Sequence, residues 1–540
     1  MKYDTIIVGG GIAGLTAAAY LSRAGQSVAL FEKQAKTGGL VQSFKRNGVL
    51  FDAGLRSIEN SGIVFPMLKQ LGIEIEFTRS YVSIGIADQV LPIEDHRSLA
   101  AYEAFLAAHF PDNKDDVRLI IREVRKTMAH MEVLYGIDNP AFVDFLKDRT
   151  YLFKVMLPWM LKFILTIRKI NRLKEPVEEY LKRFTESQAL IDIIAQHFFQ
   201  KTPTSFALGY FSLYLDYHYP KGGTAVLVDK MVEFIQQHGG AIHTSTPIER
   251  LNPGKKYVLD HQGNRLEYDR LIWAADLKQL YRNIPIEELD DPVLKEKVEK
   301  KRVELKDLKG GDSVYTAYYI VDEKRDYFSK ICTGHFFYTP STKGLSSLPK
   351  EGIESFLNEQ TILTENTHLK DEVKKYLQAY CELNTFEIAL PALRDPDLAP
   401  EGQTGLVVSL LFDYQWAKKI EEAGWSAEIK DFLEQCFIDV LDRSIFPGIK
   451  EKIVERFSST PLTIEHLTRS TDGAITGWAF TNPHMPVVDK MLKVAQSVET
   501  GLPSIYQAGQ WAYSPSGLPI AILTGKLAAD KVLKKRIGER

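Results

Sequence analysis

Cysteine is scarce in this chain. There are three in 540 residues, Cys332, Cys381 and Cys436, and they lie far apart. That excludes a disulfide scaffold and a clustered Cys metal site, and predicts buried thiols in a reducing compartment. An uninterrupted apolar run of about 18 residues, the length needed to cross a bilayer, is also missing. The nearest stretch, Tyr151 to Ile170, is broken by Lys154, Pro158 and Lys162. Charge of one sign is lacking too: 67 Lys and Arg against 70 Asp and Glu leave −3, which makes no global electrostatic case for nucleic acid. Nothing before Tyr3 resembles a signal peptide, so the expected location is cytoplasmic. No Ser/His/Asp, Cys/His or paired-carboxylate constellation stands out. What remains is 45% apolar and 25% charged, the composition of a soluble globular protein long enough for two or more domains.

The first thirty-odd residues carry the strongest signal. Thr5 to Val8 read as a short buried strand, Gly9, Gly11 and Gly14 fall on G-x-G-x-x-G, and Leu15 to Ala24 continue as an Ala-rich helix. Ser27 to Phe31 form a second strand that ends at Glu32. This is a complete βαβ dinucleotide-binding unit. Gly9 permits the tight turn, and Gly11 lets the backbone approach a pyrophosphate seated on a helix N-terminus with Ile12 and Ala13. Gly14 lets the helix pack on the strand, and Glu32 accepts the ribose hydroxyls, with Lys33 beside it. The unit does not by itself distinguish NAD from FAD.

Further motifs narrow the choice. Gly38-Gly39-Leu40 follows the ribose acid, and Phe51-Asp52-Ala53-Gly54 follows two short strands. In the centre stands Tyr219-Pro220-Lys221-Gly222-Gly223, then a helix from Ala225 to His238, Gly239-Gly240, a strand, and Ile248. Near the end, a strand over Ser504 to Ala508 leads to Gly509, then Gly517-Leu518-Pro519-Ile520 and a helix over Ala521 to Lys534. This order resembles the FAD-binding fold of amine oxidases, and most closely its branch of phytoene desaturases, carotenoid isomerases and retinol saturases. Leu40 stands where many members carry Arg, and Gly54-Leu55-Arg56-Ser57 where relatives have Gly-Pro-Ser. The resemblance implies FAD as cofactor. It places Gly38, Gly39, Gly54, Gly222 and Gly223 against the flavin nucleotide and gives Ile248 backbone contacts to the adenine. It puts Gly509 on the phosphates and the helix start Gly517 to Ile520 at the pyrimidine end.

The implied architecture is α/β plus α+β, with a discontinuous Rossmann-type FAD-binding domain over 1–78, 217–284 and 491–540. A substrate domain with a mixed, largely antiparallel sheet spans 285–490. Its expected strands are Ser313 to Val321, His335 to Tyr338, Thr385 to Leu390, Gly405 to Phe412 and Ile453 to Ser459. Between the first two FAD segments, periodic apolar residues over 79–216 predict a helical insertion that covers the site. Within it, Lys147 to Lys174 carries eight Lys or Arg against one Asp, with an aromatic and Leu/Met face. That pattern suits an anionic membrane surface, so the insertion is expected to associate with the inner face of a membrane.

The chemistry expected is hydride exchange at flavin N5 with C–C bonds of an apolar polyene or lipid, carotenoid- or retinoid-like, as desaturase, saturase or isomerase. An amine-oxidase-type flavoenzyme using O₂ on a polar substrate is the first alternative, and a non-catalytic flavin- or lipid-binding protein the second. Arg56, Glu59 and Tyr219 are the candidate catalytic residues, with Asn60 and His218 as polar neighbours. Quinone, O₂ or nicotinamide all suit as electron partner, and no metal or nucleic acid is expected.

Overall fold

The computed structural model describes residues 1–144, 148–349, 353 and 367–538. Lys147, one of the eight basic residues noted above, lies outside them.

Two seven-stranded sheets organise the molecule. In the first, Lys2–Val8 pairs in parallel with Val28–Phe31 on one side and Arg265–Trp273 on the other. Ala241–His243 extends the parallel set beyond Val28–Phe31, and Ile505–Gln507 joins Arg265–Trp273. The antiparallel strands Tyr257–Asp260 and Ile248–Asn252 complete the sheet. Its strands come from the beginning, the middle and the end of the chain. Three helices, Ile12–Arg23, Val226–Gln237 and Leu518–Gly538, pack together over one face around Leu15, Leu21, Leu227 and Ile522. Val28–Phe31 is wholly apolar and wholly buried, as suits a parallel strand covered by neighbouring layers.

The second sheet runs Ile453–Ser459, Ser313–Val321, Thr404–Phe412, Phe386–Ala389, His335–Thr339, Val82–Ile86, Gln89–Ile93. All its pairings are antiparallel except the parallel one between His335–Thr339 and Val82–Ile86. The last two strands correct the expectation of a purely helical 79–216. Val82-Ser83-Ile84-Gly85-Ile86 alternates too briefly to stand out, and its reversal at Ala87 rests on a left-handed residue with no turn glycine (φ 55°). Gly85 is required there, since a methyl group would fall 2.7 Å from the Phe336 ring.

The rest of that span is helical, with Ser98–His109, Lys114–Tyr135, Arg149–Ile170, Val177–Leu181, Gln188–Ala195 and Thr204–Tyr214. All but Arg149–Ile170 pack into a core with Phe337 and Tyr217, which ties them to the second sheet, while Ile167 of that helix packs on Met131 and Leu134. Helices Val64–Leu71, Pro292–Leu305 and Thr367–Leu383 escape the sequence reading, as does Tyr217–Pro220, a strand that bridges Ile58–Glu59 and Phe77–Arg79.

Candidate active site

One cavity of about 1120 Å³ lies between the first sheet, the second sheet and the helices. A pocket for a single drug-sized ligand is on the order of 300–1,000 Å³, so this volume suits a cofactor together with a substrate.

At the nucleotide end, Gly9 turns the chain with φ 106°, and a methyl group there would lie 2.5 Å from the Ala274 carbonyl oxygen. The next helix begins at Ile12 with Gly11 as N-cap and no capping side chain. Its first N–H groups are therefore free for a phosphate, and a Cβ on Gly11 would meet nothing within 4 Å. Gly38 donates its N–H to the Gly10 carbonyl at 2.8 Å, which brings the Gly38-Gly39 turn beside the loop. Glu32 is pinned from both sides. Its Oε2 accepts from Gly10 N at 2.7 Å and its Oε1 from Gln34 N at 2.8 Å, which fixes the carboxylate for a pair of ribose hydroxyls. Lys33 and Gln34 donate to the carbonyls of His466 and Leu467, so the helix Pro461–Thr468 closes over this end. These features fit the adenosine diphosphate half of FAD.

Of the residues expected at the cofactor, Gly9, Gly11, Ile12, Ala13, Glu32, Lys33, Gly38, Gly39, Leu40, Gly54, Ile248, Gly509, Gly517, Leu518, Pro519 and Ile520 line this cavity. Three do not. Gly14 packs beneath the loop, where a methyl group would lie 2.0 Å from the Gly9 carbonyl oxygen. Gly222 and Gly223 turn under the hairpin Ser43–Arg46/Val49–Asp52: Gly222 N donates to Asp395 at 2.7 Å, and a Cβ on Gly223 would meet Leu50 at 2.9 Å. Their glycine requirement comes from a backbone with positive φ (95° and 100°) and, at Gly223, from packing.

The candidate catalytic residues separate in the same way. Glu59 lines the cavity beside the start of the last helix, 3.5 Å from where a Cβ of Gly517 would stand. Burial and then the Asp216 charge push its pKa up to about 7, against its own backbone hydrogen bond. Arg56 also faces the cavity, donating to the Asp52 carbonyl and to Ser409 Oγ at 2.9 Å, and no ion pair with Glu59 forms. Tyr219 is corrected. It is fully buried, donates to Asp52 Oδ2 at 2.7 Å, lies under the Arg394 guanidinium at 3.9 Å, and does not line the cavity. Asn60 accepts from Phe65 N, and the His218 ring packs edge-on against Phe65.

Several residues at the cavity were not singled out from the sequence. His335 and Glu387 come from adjacent strands of the second sheet, with Nε2 and Oε1 2.9 Å apart. Ser57 Oγ lies 3.0 Å from His335 Nδ1, and the Tyr217 ring stacks on His335. Tyr210 and Tyr217 share a hydroxyl–hydroxyl bond of 2.9 Å. The alternation of His335 with Phe337, two residues on, marks a strand face, but nothing in the sequence tells which face meets the cavity.

Comparison with known proteins agrees with this geometry. Residues 12–324 match the model of the flavin containing amine oxidoreductase family. The all-trans-retinol 13,14-reductase of Danio rerio is 22% identical over 94% of this chain and 82% of its own. A 4,4'-diapophytoene desaturase (4,4'-diaponeurosporene-forming) of Staphylococcus aureus (strain MRSA252) is 21% identical over 98% of both. Among solved structures, wild-type putrescine oxidase bound to putrescine shares the fold with a TM-score of 0.58, at 15% identity over 99% of each chain. With its nucleotide loop, ribose acid and closing helix assembled around one cavity, the chain belongs to the flavin containing amine oxidoreductase family and is an FAD-dependent oxidoreductase.

Proposed function

We propose that this enzyme oxidises, reduces or isomerises C–C bonds of an apolar polyene or lipid, carotenoid- or retinoid-like, taken up at a membrane surface. The observation that carries the reading is a single helix that contributes apolar side chains to the cavity and exposes others to the exterior. Met131, Leu134, Ile167 and Ile170 line the cavity, and Ile167 belongs to the helix Arg149–Ile170. Of the fifteen large hydrophobic side chains exposed among the described residues, seven lie on that helix, from Phe153 to Leu165. A monomeric soluble protein rarely gathers so many in one patch.

The helix is 22 residues and, by length and composition, apolar enough to cross a membrane, despite the interruptions seen in its sequence. Its inner side is nonetheless held to the protein. Trp159 donates to the Val133 carbonyl, and Ile167 packs with Met131 and Leu134. Arg149, Lys154, Lys162, Arg168 and Lys169 have no acidic residue between them. That arrangement suits a helix lying in an anionic interface.

Bound flavin supplies hydride transfer at N5. The chain's residues supply the rest. Gly9, Gly11, Glu32, Gly38 and Gly39 hold the nucleotide, and the Leu518 helix end brings positive potential to the opposite end of the cavity. Glu59, with a pKa of about 7, carries the proton that accompanies the hydride: it accepts it in a desaturation and donates it in a saturation. Arg56 orients polar groups beside it. The fold shared with putrescine oxidase keeps a polar amine as the second reading, since Glu387 presents a carboxylate to the same cavity.

Anaerobic incubation of the flavin-loaded enzyme with a panel of polyenes, read by product mass, tests the reading. A gain or loss of two hydrogens, or an isomer of equal mass, is expected. Turnover of short polar amines alone would overturn it.

A further inference from the structure

The floor of the cavity is the second sheet, and one row, polar but for Phe337, crosses it. Phe337 pairs with Glu387, Glu387 with Ser409, Ser409 with Thr316, and Thr316 with Ser459. Residues paired across neighbouring strands share a face, and all five line the cavity. Glu387 is the row's only ionisable member. Its side chain keeps 35% of its surface accessible, and that surface belongs to the cavity, whereas His335 beside it keeps 3%.

Only half of this carboxylate is satisfied. Oε1 takes the His335 Nε2–H at 2.9 Å, and Oε2 makes no hydrogen bond among the described residues. His335 is held as a neutral donor: burial lowers its pKa more than Glu387 raises it, and its Nδ1 accepts from Ser57 Oγ at 3.0 Å. Burial alone would raise the Glu387 pKa. The His335 hydrogen bond and the Arg56 and Arg394 guanidiniums outweigh it and keep the carboxyl below the ordinary range. Of the other titratable groups close by, His197 is lowered to about 4 and stays neutral, and burial raises the Tyr210 and Tyr214 hydroxyls so that they stay protonated. An ionised carboxylate with a free oxygen accepts hydrogen bonds and donates none.

We propose that Glu387, positioned by His335, is the anchor for a hydroxyl group at one end of an otherwise apolar substrate, so that the enzyme selects polyene alcohols over the matching hydrocarbons. The inference rests on the polyene reading above and names the substrate class within it. A hydrocarbon seated against Glu387 expels water from Oε2 and offers nothing in return. An alcohol replaces that water bond. An ammonium group is the poorer fit, because the Arg56 and Arg394 charges that act on the carboxylate also repel a further cation. Sites built to bond a substrate hydroxyl reject the analogue lacking it far more strongly than apolar pockets reject a missing methylene.

Four probes sharing one all-trans polyene chain test this: the terminal alcohol, its methyl ether, the hydrocarbon and the primary amine. Their dissociation constants are read by quenching of protein fluorescence in detergent micelles, with the flavin-loaded protein. The alcohol is expected to bind about 100-fold more tightly than ether or hydrocarbon, the worth of one charge-assisted hydrogen bond. In Glu387→Leu that advantage falls to a few-fold and the hydrocarbon binds better than it does to wild type. Equal binding of alcohol and hydrocarbon by the wild type overturns the anchor while leaving the polyene reading intact. Tightest binding of the amine overturns it as well. If no polyene probe binds and short amines reduce the flavin, the polyene reading itself fails. Should Glu387→Leu not fold, the wild-type series decides alone.

Discussion

Asp52 shows how much one residue can hold at this site. Its carboxylate accepts from the Tyr219 hydroxyl, the Thr224 N–H and hydroxyl, and Ser43 Oγ, all at 2.7–3.0 Å. It is fully buried, and it joins the F-D-x-G turn, the Tyr219 strand and the Gly222-Gly223 turn into one unit. Removing a buried, fully bonded charge leaves several donors without partners. Asp52→Ala is therefore expected to cost about 3–5 kcal/mol, measured by denaturant unfolding. Glu59 carries the opposite kind of strain. Its folded pKa is about 7 against an ordinary 4.5, so the folded state binds the extra proton between those values. Stability is fully present below about 4.5, falls as pH rises through that window, and levels off above 7. Glu59→Gln should thus raise stability by up to about 3 kcal/mol above pH 7 and change little below pH 4.5, in melts run across pH. The same variant should lose about 100-fold or more in turnover while keeping its flavin absorbance. Unchanged turnover would remove Glu59 from the mechanism.

Two elements shape the two ends of the cavity. The Thr460-Pro461-Leu462-Thr463 stretch is a helix start: Thr460 and Thr463 form a reciprocal capping box, and Pro461 sits in the first turn. Its partner Gly473 is left-handed (φ 59°), and a methyl group there would lie 2.3 Å from the Pro461 carbonyl oxygen. The motif thus builds the helix that covers the adenosine end through Lys33 and Gln34. Thr460→Ala should cost about 1 kcal/mol and speed flavin release, followed by the recovery of free-flavin fluorescence on dilution. The helix Arg149–Ile170 is the second such element. Leu161 and Leu165 are 69% and 61% exposed, so replacing both by Glu should leave the melting temperature within a few degrees. It should also abolish co-flotation with anionic vesicles at moderate salt. Retained flotation would overturn the interfacial role of this helix.

Both sheets contribute to the walls of the cavity, and the molecule depends on what fills it. A cofactor that binds the folded state alone stabilises it by mass action, about 2.7 kcal/mol at a hundredfold excess over its dissociation constant. Flavin-stripped protein is expected to melt several degrees lower and to recover its melting temperature on addition of FAD, but not of NAD. Much of this frame was legible beforehand. The βαβ unit, the Gly38-Gly39 turn and the strands Ser313–Val321 and Ile453–Ser459 follow from short-range periodicity and from glycine positions that permit only one backbone path. Val82–Ile86 and Tyr217–Pro220 were not legible: the first turns back on Gln89–Ile93 without a turn glycine and is otherwise held by His335–Thr339, and the second is a strand only through partners more than a hundred residues earlier in the chain.

The sequence by itself determined the cofactor and the family. A phosphate loop, a ribose acid and a helix start are local devices, and their spacing is written in consecutive residues. Tertiary structure alone decided which polar groups face the cavity. It turned Tyr219, Gly222 and Gly223 inward to packing and Asp52, and it brought Ser57 and Glu387, far apart in the chain, each within 3.0 Å of His335. The physical reason is that strand residues alternate faces with a period of two, so a side chain's orientation depends on register. Register is set by the neighbouring strands, not by the residue's own segment.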